Sequence, residues 1–530
     1  MNDFLLLNLV FFGVLTVAAY ALSFALTYSA GQSKKFPMQD WRAYGKAMLA
    51  LHFVGFIILF LMLCWQHVLP WNPLQLPGLA WDRAFNIAIS FVSQTNWQSY
   101  QGEITLSPFT QMAGLTVQNF LSAAIGMTAG MVILRAVAYP AEKGIGNFWA
   151  DLRASILYIL LPLSFVLAIF LLWQGVPQSF QAYQPITTLE GQAQLLPLGN
   201  AASQIAIKQV GDNGGGFYGA NSAHPFENPT ALSNFVEMLA MLLLSGAFLF
   251  AFGKAIRNQR QAWVFYAVVL LLLLAGGVAI YTAEAASLVS WEGKEWRFNL
   301  GEDALWASIT TATGNGSVNA AHDSFMPLSV LVMLLHMLFD SVVFGAGGTG
   351  FVALMVFVIL SVFMAGLMVG RSPEFLGKKI TAAEIKWCFV FILALPLVAA
   401  GFTVWAMNLE AGRAAMGNPG MRGFSEILYA YTSAAANNGS ALGGIKADVP
   451  FYNITMGVAM LLGRFFTLLP ALALAGHLAP KPKMPPSLGT LRTDTFMFAT
   501  FLLFIIVLFN GLTAFPLLLI GPVVEHLAGF

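Results

Sequence analysis

Charge is scarce in this 530-residue chain. Only 9% of its residues are Asp, Glu, Lys or Arg, against 58% hydrophobic, and the mean hydropathy is +0.73. So few charged groups cannot clothe an ordinary soluble domain, and the composition describes a polytopic membrane protein. Cysteine is nearly absent: Cys64 and Cys388 both lie inside apolar runs and read as core residues, so no disulfide framework or redox motif is implied. A net charge of +1, with no basic block carrying interleaved aromatics, leaves no footing for nucleic acid. There is no Gly-x-x-x-x-Gly-Lys-Ser/Thr, no Asp-Lys-Thr-Gly, and no polar stretch long enough for a nucleotide-binding domain. The seven histidines make no ligand cluster. No nucleophile and base are spaced for a membrane enzyme.

Long apolar runs are abundant. They fall at about 4 to 28, 47 to 68, 112 to 138, 154 to 174, 231 to 253, 262 to 281, 327 to 369, 384 to 407, 453 to 476 and 496 to 520, which predicts ten spans. The first has no basic flank or cleavage site and reads as a retained helix. Lys34, Lys35, Arg42, Lys46, Arg135, Lys143, Arg153, Lys254, Arg257, Arg260, Arg371, Lys378, Lys379, Lys386, Lys481, Lys483 and Arg492 collect in alternate loops. The other face holds only Arg83, Lys208, Lys294, Arg297, Arg413, Arg422 and Lys446. The richer face is expected to be cytoplasmic, with both termini outside.

Between the spans, a short uncharged run recurs. Thr313-Gly314-Asn315-Gly316-Ser317 and Ala436-Asn437-Asn438-Gly439-Ser440 are close copies, and Gly211-Asp212-Asn213-Gly214-Gly215 is a looser one. Thr95-Asn96-Trp97-Gln98-Ser99 occupies the matching place earlier, with Gln98 standing where the others have glycine. Each run sits in one frame of span, short helix, run and span, which predicts four channel-like repeats around a pseudo-fourfold pore. The repeats are 47–138, 139–253, 254–371 and 372–478, flanked by 1–46 and by 479–530, which opens on the stiff linker Pro480 to Pro486. The short helices are expected at Asp82 to Gln94, Ala202 to Val210, Asp303 to Ala312 and Ser425 to Ala435, with Asp82, Asp303 and Ser425 as caps. They are too short to span, and their C-terminal dipole ends would favour a cation in the centre.

Backbone carbonyls with Asn or Ser oxygens suit a bare potassium ion without a fixed charge that would retain it. Glycine at 214, 316 and 439 lets the backbone take positive φ. A divalent site would want several carboxylates, and only Asp212 and Asp323 stand near these runs. The 327–369 run is too long for one straight helix, and Phe344-Gly345-Ala346-Gly347-Gly348-Thr349-Gly350 should break it into a gating loop below a filter, rather than bind a nucleotide. Arg464 is a lone charge in a span and is expected to face the pore, as a barrier or a diverter of the ion. Asp340 is its candidate partner, and Arg371 is expected to snorkel to the interface or to lie along the ion's route.

These residues carry a resemblance. Thr95-Asn-Trp-Gln-Ser-Tyr100, Leu115-Thr-Val-Gln-Asn-Phe120, Gly214-Gly-Gly-Phe217, Asn221-Ser-Ala-His-Pro-Phe-Glu-Asn-Pro229, Val318-Asn319, His322-Asp323-Ser324, Phe339-Asp340-Ser-Val-Val-Phe-Gly345 and Ala365-Gly-Leu-Met-Val-Gly-Arg371 make the chain similar, over essentially its whole length, to the KdpA family. Those proteins are the potassium-binding subunits of the Kdp potassium-transporting ATPase, within a superfamily of potassium transporters. The resemblance implies a selectivity filter at Gln98, Gly214, Gly316 and Gly439, a gating loop from Gly345 to Gly350, and Arg464 blocking the direct path. It also implies that potassium passes to a partner P-type ATPase subunit, KdpB, with KdpC and KdpF in an inner-membrane complex, and that ATP is used only by the partner. Two residues depart from the family pattern. Asp212 replaces Thr or Ser and is expected to add a carboxylate at the outer mouth, and Gly219 replaces Asn. The alternative function is a stand-alone potassium channel or Trk-like uniporter.

Overall fold

The computed structural model describes residues 2–140, 143–181, 183–286, 291–339, 341–370, 372–485 and 490–528. Among these, ten helices are long and apolar enough to cross a membrane. They occupy Asn2–Lys35, Trp41–Cys64, Thr110–Ala138, Phe148–Gln174, Ala231–Ile256, Gln259–Ala285, Thr349–Met368, Ala382–Asn408, Pro450–Leu478 and Phe496–Leu527. Each matches an apolar run, and most begin a few residues earlier than it does, because polar first turns continue the helix. The predicted long third-frame run is broken as expected. Pro327–Leu338 ends at Phe339, Thr349–Met368 resumes after it, and left-handed backbone at Ser341, Phe344 and Gly347 turns the chain between them.

The four frames stand in the predicted order, each with a short helix before its polar run: Trp81–Val92, Ala201–Val210, Leu300–Thr313 and Gly420–Ala435. The capping residues differ from expectation. Asp82 lies inside the first turn and accepts from Asn453 Nδ2 at 2.9 Å, while the N-cap is Ala80. Asp303 also lies inside its helix, which opens one turn earlier on a reciprocal Asn299–Glu302 capping box. Ser425 is buried mid-helix and donates to Glu525 Oε2 at 3.1 Å. In each case the first turn extends beyond the apolar pattern, and tertiary partners claim the polar side chain.

One cluster of buried apolar side chains reaches all four frames, a second joins Leu300–Thr313 and Pro327–Leu338 to the fourth frame, and a smaller third lies within the first frame. The first flanking helix packs on Ala231–Ile256, and the last packs on both halves of the broken span and on Gln259–Ala285. Many large apolar side chains on the outer helices are exposed, among them Leu9, Val17, Phe165, Trp173 and Leu397, as a lipid-facing surface requires. On the face bearing the polar runs, Gln184–Thr187 and Ala193–Leu196 form an antiparallel hairpin. The sequence pattern did not reveal it, because two four-residue strands, Gln-Pro-Ile-Thr and Ala-Gln-Leu-Leu, are too short to carry a usable periodicity.

Candidate functional site

The four polar runs meet in one closed ring. Asn96 Nδ2 donates to Gly214 O at 2.8 Å, joining the first wall to the second. A Cβ on Gly214 would collide with Asn315 O, one on Gly316 with Asn438 O, and one on Gly439 with Thr95 O. The contacts therefore run from wall to wall in sequence order and return from the fourth to the first. At Gly316 and Gly439 both close approach and a φ of +79° and +99° require glycine.

Each run turns its amides outward to the short helix behind it. Thr95 N, Asn213 N and Asn438 N donate to Ser90 O, Lys208 O and Ser433 O at 2.9, 2.8 and 2.8 Å, each to the carbonyl five residues earlier. In the third wall Asn315 N donates instead to Thr313 Oγ1 at 3.2 Å, and Thr310 O accepts from Asn438 Nδ2 at 2.8 Å. Left-handed residues are spaced by two in every wall, at Gln94 and Asn96, Asp212 and Gly214, Gly314 and Gly316, Asn437 and Gly439, and in the second wall Gly215 at φ +69° follows Gly214 directly. With these N–H groups spent on the helices, the alternation suits the presentation of backbone carbonyls to a ligand at the centre, Gly214 O apart, which accepts from Asn96 Nδ2.

The backbone corrects the register of the first wall. Asn96, with φ +51°, stands where the others have Gly214, Gly316 and Gly439, and Gln98 lies two residues further along. Gln98 spans two walls there: its Oε1 accepts from Gly216 N at 2.8 Å and its Nε2 donates to Gly216 O at 3.0 Å. Residue letters alone align Thr95 with Thr313. The backbone shows that Thr95 corresponds to Asn213, Asn315 and Asn438, because hydrogen-bond geometry rather than residue type defines the repeat.

A buried polar scaffold that the sequence reading passed over holds the walls. Lys208 forms an ion pair with Glu227, and its amine also donates to Asn221 Oδ1 and Ser222 Oγ at 3.0 Å. Glu227 accepts from Tyr218 N at 2.9 Å, and Gln209 links Glu237 to Asn315 at 2.7 and 3.1 Å. Asn119 accepts from Asn96 Nδ2 at 2.8 Å, Trp306 Nε1 donates to Ser317 O at 2.8 Å, and Tyr429 meets both Ser440 and His322. In the sequence Lys208 reads only as a charge between spans, since nothing local signals that it is fully buried. Asp323 pairs with Arg422. At the other end of the second wall, Gly219 N donates to Glu103 Oε2 at 2.8 Å; burial pushes that carboxyl upward, and the Gly219 amide partly offsets the shift.

Where the short helices end, the ring opens on a cavity of about 30 Å³, room for a water or one small ion. Gln94, Thr313, Gly314 and Asn437 line its ring side, and Arg464, Ala346 and Thr349 line the other. Arg464 is 3% exposed, donates to Ser122 O at 2.8 Å, and has no hydrogen-bond partner at Nε. Its suggested partner Asp340, and Arg371, lie outside the described residues. The glycine loop sits directly below the third wall. Ala346 N donates to Thr313 O at 2.6 Å, and Ser245 Oγ donates to Gly345 O and Gly347 O at 2.6 and 3.3 Å. Gly348 touches the helix Val117–Ala138 at Gly126 and Gly130, and Gly350 N donates to Gly345 O at 3.1 Å. Asp212 belongs to this cavity end and not to the outer mouth, since it shares its backbone state with Gln94, Gly314 and Asn437.

The arrangement is matched by known proteins. A family model described as the potassium-transporting ATPase A subunit, KdpA, matches residues 16–527. The potassium-transporting ATPase potassium-binding subunit of Methylobacterium nodulans is 49% identical over 501 residues, which cover 93% of this chain and 88% of that one. The protein of the same description from Pectobacterium carotovorum is 49% identical over 515 residues, 94% of this chain and 92% of that one. Among solved structures, the potassium transporter TrkH of Vibrio parahaemolyticus superposes with a TM-score of 0.54 at 14% identity, covering 88% of this chain and 96% of that one, which shows a common fold.

Proposed function

The chain belongs to the KdpA family of potassium-transporting ATPase A subunits, and from that premise we propose that it is the potassium-selective, ion-binding and translocating subunit of an ATP-driven uptake pump. The observation that carries this reading is the closed ring. Each wall ties an amide to the short helix behind it, and its carbonyls, Gly214 O apart, serve a central ion, with no fixed charge at the glycine level. Thr95 to Ser99, Asp212 to Gly215, Gly314 to Ser317 and Asn437 to Ser440 form the filter. Gly345, Gly347, Gly348 and Gly350 belong to the gating loop.

A cation that leaves the ring meets Arg464, whose charge opposes straight passage and favours a sideways exit. Energy for uptake comes from a partner P-type ATPase subunit, KdpB, assembled with KdpC and KdpF in the inner membrane. This chain uses ATP only through that partner. The lysine-rich loops face the cytoplasm, and both termini lie outside it. The likeness to TrkH supports a second reading, a stand-alone channel or Trk-like uniporter.

Potassium uptake into proteoliposomes holding the co-purified complex, with and without ATP, tests both readings. The pump reading expects uptake against a gradient only with ATP. It also expects weaker potassium affinity in Gln98→Arg, which removes the acceptor for Gly216 N and adds a positive charge to the ring. Potassium flux through the chain alone, without ATP, would replace it with the channel reading.

A further inference from the structure

At the cavity end of the ring, one carbonyl is already in use. Thr313 and Ala346 both line the cavity, and Ala346 N donates to Thr313 O at 2.6 Å. The matching carbonyl of the second wall, Gly211 O, accepts from Gln94 Nε2 at 2.9 Å, a side chain of the ring itself. The donor on Thr313 O comes instead from the glycine loop between Pro327–Leu338 and Thr349–Met368, which belongs to no wall.

A single hydroxyl holds that loop from the other side. Ser245, in the middle of Ala231–Ile256 and 3% exposed, donates to Gly345 O at 2.6 Å and to Gly347 O at 3.3 Å, the residues on either side of Ala346. A buried helical serine commonly donates to the carbonyl four residues back, as Ser122 and Ser155 do here at 2.7 and 2.9 Å. Ser245 gives its hydroxyl to the loop instead. Thr349 N and Oγ1 donate to Ala346 O at 2.9 and 2.7 Å, so Ala346 is held at its carbonyl as well as at its amide. The packing of Gly348 on Gly126 and Gly130 is a separate attachment, to a different helix.

We propose that Ser245 is a positioning residue for ion passage, whose hydroxyl sets how firmly Ala346 N occupies Thr313 O, and that a cation at the cavity end of the filter competes with this N–H. The inference rests on the potassium-transport reading and deepens it. The positive end of an N–H and a cation oppose each other at one oxygen, and more strongly where water is excluded. Whatever favours the bonded loop then weakens cation binding at this end, and by reciprocity a cation arriving there loosens the loop. Ser245 therefore lowers cation affinity at the cavity end and keeps the loop in place until an ion has come through the ring.

The test is equilibrium binding of rubidium to the purified complex, with potassium as competitor, for native protein, Ser245→Ala and Ser245→Thr, alongside the half-saturating potassium concentration for ATP-dependent uptake. Loss of one hydrogen bond from the bonded loop predicts rubidium binding about three- to tenfold tighter in Ser245→Ala, with a lower half-saturating potassium concentration, and native values in Ser245→Thr, which keeps the hydroxyl. A residue that merely braced the fold would leave binding unchanged or weaken it, so an assembled Ser245→Ala complex with native or weaker rubidium affinity overturns the proposal. Tighter binding in Ser245→Thr as well would overturn it too, since the hydroxyl would then not be the cause. If Ser245→Ala does not assemble, Ser245→Cys, similar in shape and a weaker donor, must tighten binding in the same direction, and native or weaker binding in it overturns the proposal equally. Failure of the native complex to bind rubidium or potassium would remove the transport reading and this inference together, whereas an effect absent only from the variants removes the inference alone.

Discussion

A methyl group separates a working ring from a blocked one. Gly316 has φ +79°, and its missing Cβ leaves room for Asn438 O. Gly316→Ala is expected to cost more than tenfold in potassium affinity, read as the half-saturating concentration for ATP-dependent uptake. Gly401 is the control: it is exposed, helical and has nothing within 4 Å of an added Cβ, so Gly401→Ala should leave transport native and add about 0.5–1 kcal/mol of stability. Lys208 is the opposite case, a charge whose value depends on its partner. Lys208→Met strands Glu227 in the interior and is expected to destabilise the fold by about 3–5 kcal/mol, measured by thermal denaturation in detergent.

Among elements, the loop between Pro327–Leu338 and Thr349–Met368 has the clearest separable role. Thr313 O and Ser245 Oγ hold it against the underside of the third wall, and its glycines let it lie against Val117–Ala138. A Cβ on Gly348 would stand 2.5 Å from Gly126 O and 3.0 Å from Gly130 Cα, so Gly348→Ala must push the loop off that helix. Since the ring itself is untouched, the expected outcome is a fall in the maximal uptake rate with equilibrium rubidium binding near native. A variant that lost binding and rate in parallel would show that loop and ring act as one unit. The broken span was legible because forty-odd apolar residues interrupted by glycines exceed one membrane crossing. The loop's position under the third wall was not, because it depends on Ser245 and Thr313, far away in sequence.

At the scale of the whole molecule, charge sets orientation and the last segment closes the bundle. Leu189, fully exposed in the hairpin, and Lys379, in the basic loop between Thr349–Met368 and Ala382–Asn408, lie at opposite ends of the spans. An impermeant maleimide added to intact cells is expected to label Leu189→Cys and to spare Lys379→Cys; the reverse pattern would invert the orientation inferred from lysine and arginine. Glu525 ties the C-terminal segment to the fourth frame through Arg422 at 3.0 Å and Ser425 at 3.1 Å, while Arg422 also holds Asp323. Glu525→Ala leaves two buried donors unmet and should cost about 1–3 kcal/mol, seen as a lower melting temperature of the complex.

The sequence by itself determined the class of molecule, the ten spans, the four frames and the polar runs that meet in the ring. Lipid demands long apolar helices with their backbone bonds satisfied internally, and a repeated polar run between such helices stands out against that background. Only the tertiary structure decided the register of the ring. Asn96 aligns with glycine because of its left-handed backbone and its contact with Gly214, neither of which residue letters encode. The same holds for Asp212, which moves from the expected outer mouth to the cavity end, and for Lys208, Glu227 and Glu237, whose burial is created by walls brought together from distant parts of the chain. Composition and periodicity report what each segment must face. They carry no information on which distant carbonyl a given side chain meets, and in this protein the closure of the ring depends on those meetings.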